Sequence, residues 1–444
     1  MAKIGFVSLG CAKNLVDTEV MLGKLSVKGH ELTASQEEAD IIVVNTCGFI
    51  DRAKEESVNT ILEMAELKTT GSCQRLVVAG CLVERYRAEI LESIPEVDAV
   101  IGINEIPKII EACGLEEAVP PTYEARELYL YSDQDERVLT TPRHWAYVKI
   151  AEGCDHPCTF CVIPKMRGRF RSRPIDSVVR EVRSLASGGV REVNLVAQDS
   201  TMYGWDLGDR KGLAKLLREL SSIDEIGWIR FLYAYPNSIY DELLEAIAES
   251  PKVCKYIDLP LQNASRNVLA RMKRGGNRGS LTRLLGRIRE AIPEVTLRTT
   301  MIVGFPGETE SDFRELVEFV EEIEFDRLGV FTYSDEEHGE AYNLDQKVPD
   351  EVRSERLDRL MSVQRKISKR KNRSLVGQTL PILVEGLSQE SDLLWEGRLP
   401  GQAPEIDGVV YLNDGVTEET VPGEIHRVRI TEAHEYDLVG TLVT

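Results

Sequence analysis

The chain has 444 residues, 42% hydrophobic and 29% charged, enough for about three domains at about 150 residues each. That composition excludes a disordered, collagen-like or disulfide-stapled chain, and no run approaches the about 18 apolar residues of a membrane span. Lys and Arg number 54 against 74 Asp and Glu, so the net charge of −20 argues against a surface given over to nucleic acid. Residues 1–11 hold one Lys and a short apolar run, too short for a secretory leader, so a cytoplasmic location with reduced thiols is expected. The nine cysteines are then core residues, metal ligands or nucleophiles.

Residues 1–117 alternate short apolar runs (4–9, 41–45, 75–79) with amphipathic stretches (16–26, 53–67, 83–94), the pattern of parallel strands and covering helices in an α/β domain. Residues 118–140, rich in Pro, Glu, Tyr and Asp, read as a linker. Over 141–373 the alternation resumes six times, with candidate strands at 146–150, 192–197, 228–234, 256–261, 296–303 and 327–332. Six strand–helix units predict a partial (β/α) barrel. One of its helices, 177–186, has Asp176 placed to cap its start. Residues 353–373 form a helical stretch with nine cations against Glu355 and Asp358, net +7. Residues 376–444 switch to short β runs between Gly, Pro and Asp turns, a small all-β barrel or sandwich with 13 acidic residues against three Arg, net −10.

Cys154-Asp-His-Pro-Cys158-Thr-Phe-Cys161 lets one loop, just past the first barrel strand, bring three thiolates to one centre. Three soft ligands suit an iron–sulfur cluster with one iron left open. A zinc knuckle would have to recruit His156 as its fourth ligand from a cramped position. A second set is dispersed: Cys11, Cys47 and Cys81 each lie just past one N-terminal strand, beside Gly10, Gly48 and Gly80. Strand ends of a parallel sheet converge on one crevice, where three thiols form either another open metal site or three buried core cysteines. Cys73, Cys113 and Cys254 follow no such pattern and read as inert core. The cations of 165–173 alternate, and on a strand they would share one face.

These motifs resemble the radical S-adenosylmethionine (SAM) methylthiotransferase family over essentially the whole chain. Cys154, Cys158 and Cys161 match the superfamily's cluster triad, Cys11, Cys47 and Cys81 match the positions of a second cluster, and the last 69 residues resemble a TRAM domain. The resemblance implies an N-terminal parallel α/β domain, a central partial (β/α)6 radical SAM barrel and a small TRAM barrel. It also implies two 4Fe-4S clusters, SAM used twice, and an electron donor such as flavodoxin or ferredoxin. One SAM would generate a radical that takes hydrogen from the acceptor carbon, and the second would methylate sulfur for transfer to it. Gly304-Phe-Pro-Gly307 resembles the superfamily's cofactor segment, and Gln198 and Gln262, at strand ends, are candidate cofactor contacts. Asn263 stands where the family usually carries His.

Two branches compete. One modifies an isopentenyladenosine-type transfer RNA base; the other modifies the β-carbon of an aspartate in small-subunit ribosomal protein S-twelve. Residues 8–19, 196–200, 325–334, 403–408 and 435–440 look like the second. Charge agrees, since a domain of net −10 suits a Lys- and Arg-rich protein better than RNA. The net +7 stretch is a candidate for ribosomal RNA contact or a solvated face. A non-enzymatic iron–sulfur electron carrier remains the alternative of another class.

Overall fold

The computed structural model describes residues 2–116, 128–388 and 390–443; residues 118–127 of the expected linker lie outside that set. The N-terminal region runs β1 (Lys3–Ser8), α1 (Ala12–Val27), β2 (Glu31–Thr33), β3 (Ile41–Thr46), α2 (Asp51–Thr70), β4 (Arg75–Gly80), α3 (Cys81–Ser93), β5 (Ala99–Ile101) and the short α4 (Ile109–Ala112). Its sheet is parallel in the order β2-β1-β3-β4-β5. Every residue of β3, IleIleValValAsnThr, is buried, as expected of a central strand covered on both faces.

The central region contributes β6 (Trp145–Lys149), β7 (Ala151–Glu152), α5 (Ile163–Arg167), β8 (Arg171–Ser172), α6 (Ile175–Ser187), β9 (Glu192–Val196), α7 (Gly212–Ser221), β10 (Trp228–Phe231), α8 (Asp241–Glu249), β11 (Tyr256–Asp258), α9 (Arg266–Arg271), α10 (Arg278–Ala291), β12 (Thr296–Val303), α11 (Glu310–Ile323), β13 (Arg327–Thr332) and α12 (Asp350–Ser374). Its six parallel strands pair as two triplets, β6-β9-β10 and β11-β12-β13, bridged between Ile229 and Val253, so the partial barrel is as expected. Pro174, rather than Asp176, precedes the first turn of α6; Asp176 sits inside that turn, where its charge still favours the helix dipole. Among the described residues no helix is long and apolar enough to cross a membrane.

Residues 128–140 are a strap rather than a loose linker. Arg137 reaches Glu19 of α1 (2.8 Å) and Glu181 of α6 (2.8 Å), and Thr140 N donates to Glu19 (2.7 Å). The C-terminal region closes a barrel in the order β14 (Thr379–Ser388), β15 (Ser391–Arg398), β16 (Val410–Asp414), β18 (Leu438–Val443), β17 (Ile425–Ala433) around Ile382, Val384, Val428 and Leu438.

This small barrel docks at the amino ends of the central strands, away from the cysteine loop. Arg398 meets Glu192 and Glu385 at 2.6 Å each, Glu192 also receives Arg230 (3.2 Å), and Tyr256 donates to Asp407 (2.8 Å). α12 straps barrel to C-terminal region, and this changes the reading of its charge. Seven of its nine cations, from Arg353 to Lys371, lie within 4.0 Å of a carboxylate of this chain. The helix therefore presents far less free positive charge than its sequence suggests.

Candidate metal centres at the domain seam

The three N-terminal cysteines reach one level because the strands are in register: Ser8 lies opposite Asn45, and Asn45 opposite Ala79. Two glycines permit the close approach. At Gly10 (φ +93°) a Cβ would fall 2.8 Å from Cys47 Cβ, and at Gly80 (φ +97°) it would fall 2.3 Å from Asn45 Oδ1. Side-chain amides pin the loops. Asn14 donates to Leu9 O (2.6 Å), Asn45 donates to Asn14 O (2.8 Å), and Ser57 Oγ accepts from Cys47 N (3.0 Å).

The barrel triad hangs from a two-residue ribbon, β7 against β8, with Cys154 N donating to Gly168 O (3.1 Å). A turn from Cys161 N to Cys158 O (3.1 Å) folds the loop on itself, and Thr159 N ties it to Met272 O (3.2 Å). All three thiols line a cavity of about 490 Å³ that also meets Arg169, His338 and Glu340. His156 is turned to other work: its Nε2 pairs with Asp199 (2.6 Å) and its ring stacks on Tyr235 at 3.7 Å. It is therefore not held as a fourth ligand. Among the described residues no three His, Cys, Asp or Glu side chains stand close enough to grip one metal ion. A cubane spreads its thiolates over separate irons, so its ligands stand wider than those of a single zinc.

The thiols of each set feel one another. Burial pushes Cys47 up to about 12, with the charges of Cys81 and Cys11 adding to it. Burial likewise lifts Cys161 to about 12 and Cys154 to about 11, with neighbouring triad thiols contributing to both. Burial raises Cys81 as well. At Cys11 burial also opposes the thiolate, but Lys13 and Arg167 outweigh it and hold the thiol below its ordinary value. Cys73, Cys113 and Cys254 are buried away from both sets.

A buried charge network joins the two halves. Lys149 pairs with Asp17 of α1 and with Glu152 (2.8 Å). Arg167, 1% exposed, holds Glu152 (2.9 Å) and Asp17 (3.2 Å) and donates to Cys81 Sγ at 3.3 Å. Arg274 is its counterpart on the other triad, with Nη1 3.6 Å from Cys158 Sγ and its guanidinium over Tyr235. Around the rim, Glu336 binds Arg85 (2.7 Å) and Lys54 (3.2 Å), and Lys165 donates to His338 O (2.8 Å). The alternating cations are not a strand face. Pro164 opens α5 and Gly168 (φ +74°) breaks the run, so Arg167 and Arg173 turn inward to carboxylates while Lys165 and Arg169 face the cavity region.

A second, mainly apolar cavity of about 250 Å³ lies across the seam between Phe49 and Ile50, just past Cys47, and Phe160, Gln262, Thr300 and Phe331 of the barrel. Among the described residues the buried Oε1 of Gln262 (φ +73°) meets no partner, nor does that of Gln198, whose Nε2 donates to Glu152 (2.7 Å). Gly304 and Gly307 line neither cavity. Their missing side chains make room for Arg353 and Arg271, and Phe305 between them packs edge-on against Phe160. Asn263 is spent on structure: Oδ1 accepts from Ala264 N and Ser265 N, and Nδ2 donates to Glu308, which also binds Gly304 N and Arg356.

Three family models cover most of the chain: the uncharacterized protein family UPF0004 over residues 3–102, the radical SAM superfamily over 148–320 and the TRAM domain over 376–443. A ribosomal protein uS12 methylthiotransferase RimO from Solibacter usitatus is 58% identical over 443 residues, 99% of this chain and 95% of the relative. Its namesake from Geobacter sulfurreducens is 48% identical, covering 100% and 99%. The chain belongs to the ribosomal protein uS12 methylthiotransferase family. As a member it is a radical SAM methylthiotransferase with a TRAM domain. The fold is shared with the radical SAM methyltransferase TsrM from Kitasatospora setae, at TM-score 0.53, 15% identity and coverage of 74% and 75%. It is shared also with OxsB, at TM-score 0.51 and 14% identity, over 83% of this chain and 56% of that one.

Sequence reasoning missed Lys13 and Arg274 beside the thiols, and Asn14 and Asn45 beneath them. Asn45 carried a signal, since it ends an otherwise apolar run.

Proposed function

We propose that this enzyme methylthiolates the β-carbon of an aspartate in small-subunit ribosomal protein S-twelve, in the cytoplasm, with an electron donor such as flavodoxin or ferredoxin. Cys154, Cys158 and Cys161 would hold one 4Fe-4S cluster and Cys11, Cys47 and Cys81 a second. Residues 1–117, 141–373 and 376–444 would form the domains that carry the second cluster, the radical chemistry and the TRAM barrel. The observation that carries the reading is a pair of thiol triads on two domains, joined at one seam by a single network in which Arg167 touches Cys81. When bound, the clusters and two SAM molecules supply the C–H cleavage and the methylthio group, chemistry that acid–base side chains cannot perform.

The chain's own residues bind, orient and shield. The Lys149–Asp17–Glu152–Arg167 network fixes one triad relative to the other, and its carboxylates are already matched by cations, so docking leaves no bare buried charge. The orphaned oxygens of Gln198 and Gln262 are free to accept from the amino groups of SAM. Gly304 and Gly307 would act through Phe305, which backs Phe160 on the cavity wall. The Arg85–Glu336 pair closes the rim against water, which protects a radical reaction.

The charge of the C-terminal region, net −10, favours a basic ribosomal protein over transfer RNA. Among the described residues Lys366 and Arg373 are the cations of α12 without a carboxylate within 4.0 Å, so a ribosomal RNA contact on that helix would fall to them. The test is mass spectrometry of that ribosomal protein from cells with and without this gene. A methylthio group on aspartate, lost on deletion, supports the reading. An unmodified protein in both, with a transfer RNA adenosine losing its methylthio group, refutes the substrate and keeps the enzyme class.

A further inference from the structure

Lys13 is a buried cation of the seam whose charged neighbour is the Cys11 thiol rather than a carboxylate. It occupies the first turn of α1, where the helix dipole opposes a cation, and it is only 7% exposed. Its buried neighbours Lys149 and Arg167 each meet two carboxylates. Among the described residues Lys13 has no carboxylate within 4.0 Å, and its ammonium rests 3.4 Å from the centre of the Tyr233 ring. A ring face offsets part of the cost of burying an ammonium, and an anion offsets far more.

Position identifies the anion. Tyr233 follows β10 in the left-handed region (φ +64°), a conformation costly for a bulky residue, and Asp258 helps hold it there by accepting from its backbone N–H (3.0 Å). The strained turn sets its ring under Lys13 at the Cys11 side of the seam, while Tyr235, two residues on, stacks against His156 of the barrel loop. A group held on Lys13 thus lies beside the N-terminal thiols and one short segment from the barrel thiols. In an aspartate the β-carbon is bonded directly to the carboxylate carbon, so gripping the carboxylate fixes the reacting carbon one bond away.

We infer that Lys13 takes the side-chain carboxylate of the target aspartate and thereby selects aspartate over asparagine. The inference rests on the ribosomal-protein reading above. It assigns a specificity-determining residue, with the methionine-end carboxylate of SAM as the competing source of the same chemistry.

The test uses the cluster-loaded enzyme and two fluorescent peptides that span the target residue, one with aspartate and one with asparagine. Wild-type enzyme should bind the aspartate peptide about tenfold to a hundredfold more tightly, the span expected of one charged hydrogen bond. Lys13→Met should bind both peptides as wild type binds the asparagine form, with unchanged iron content and unchanged affinity for SAM, and Lys13→Arg should keep the preference. No preference in the wild type overturns the assignment whatever the variants do. A preference that survives in Lys13→Met overturns it too, and if SAM affinity falls in that variant the carboxylate is that of SAM. Wild-type enzyme that binds neither peptide refutes the ribosomal-protein reading itself, and the assignment falls with it.

Discussion

Replacing Arg167 by Met removes the guanidinium that, among the described residues, reaches from the barrel into the N-terminal triad. Its 3.3 Å contact with Cys81 Sγ favours extra negative charge on that sulfur, and hence the reduced state of a cluster bound there. A charged hydrogen bond is worth about 1.5–3 kcal/mol, so its loss should lower the one-electron potential by at most about 60–130 mV, the limit in which the bond acts on the reduced state alone, at about 59 mV per 1.4 kcal/mol. The fold should survive, because Lys149 still pairs with both Asp17 and Glu152, keeping the cost near the low end of the about 3–5 kcal/mol for breaking a buried pair. A redox titration followed by electron paramagnetic resonance reads both centres in one sample. The N-terminal signal should shift while the barrel signal stays. Arg274→Met, whose contact with Cys158 is longer at 3.6 Å, should do the reverse by a smaller amount. Full iron content with unmoved potentials, or an equal shift of both centres, would refute the argument.

Metal-free protein should alkylate first at Cys11, the triad thiol held below its ordinary value, and Lys13→Met should slow that labelling; mass spectrometry that finds Cys47 labelled first would contradict it. The folded chain holds Cys47 and Cys161 near 12 against 9.0 for an ordinary thiol, so it keeps protons that the unfolded chain releases. The metal-free protein should therefore keep its stability up to about pH 9 and lose it as pH climbs toward 12, and a flat thermal midpoint over that range would count against the burial. Arg398→Met leaves Glu192 with Arg230 and Glu385 with His144, yet removes the ion that joins them. It should cost about 3–5 kcal/mol and quicken proteolysis between α12 and β14, whereas an unchanged digestion rate would show the joint to be held elsewhere.

The alternating architecture was readable because the main strands are apolar-rich segments separated by amphipathic helices. β2 and β5 escaped notice because three-residue edge strands hold too few apolar positions to make a pattern. In the C-terminal region charge and Gly interrupt Ser391–Arg398 and Leu438–Val443, and closing the small barrel supplies what their sequences lack. The barrel triad was a local motif, and the dispersed triad could be inferred because strand ends share a level. Arg167 beside Cys81 could not be inferred: 86 residues separate them, and no period or spacing encodes a contact across two domains. The cations of 165–173 share no strand face because α5 takes the first of them, Gly168 breaks the run, and only Arg171–Ser172 is extended.

Glu192 lies wholly within the barrel, yet one of its two oxygens serves an arginine of another domain. Transplanting a foreign TRAM barrel at residue 376 would therefore leave Glu192 with Arg230 alone and one buried oxygen without its cation, and Tyr256 would lose the acceptor that Asp407 provides. Chimeras that swap this barrel to retarget the enzyme should fail as folding units unless Glu192, Arg230 and Tyr256 are exchanged with it. In this molecule the last domain is a fixed part of the barrel rather than an interchangeable attachment.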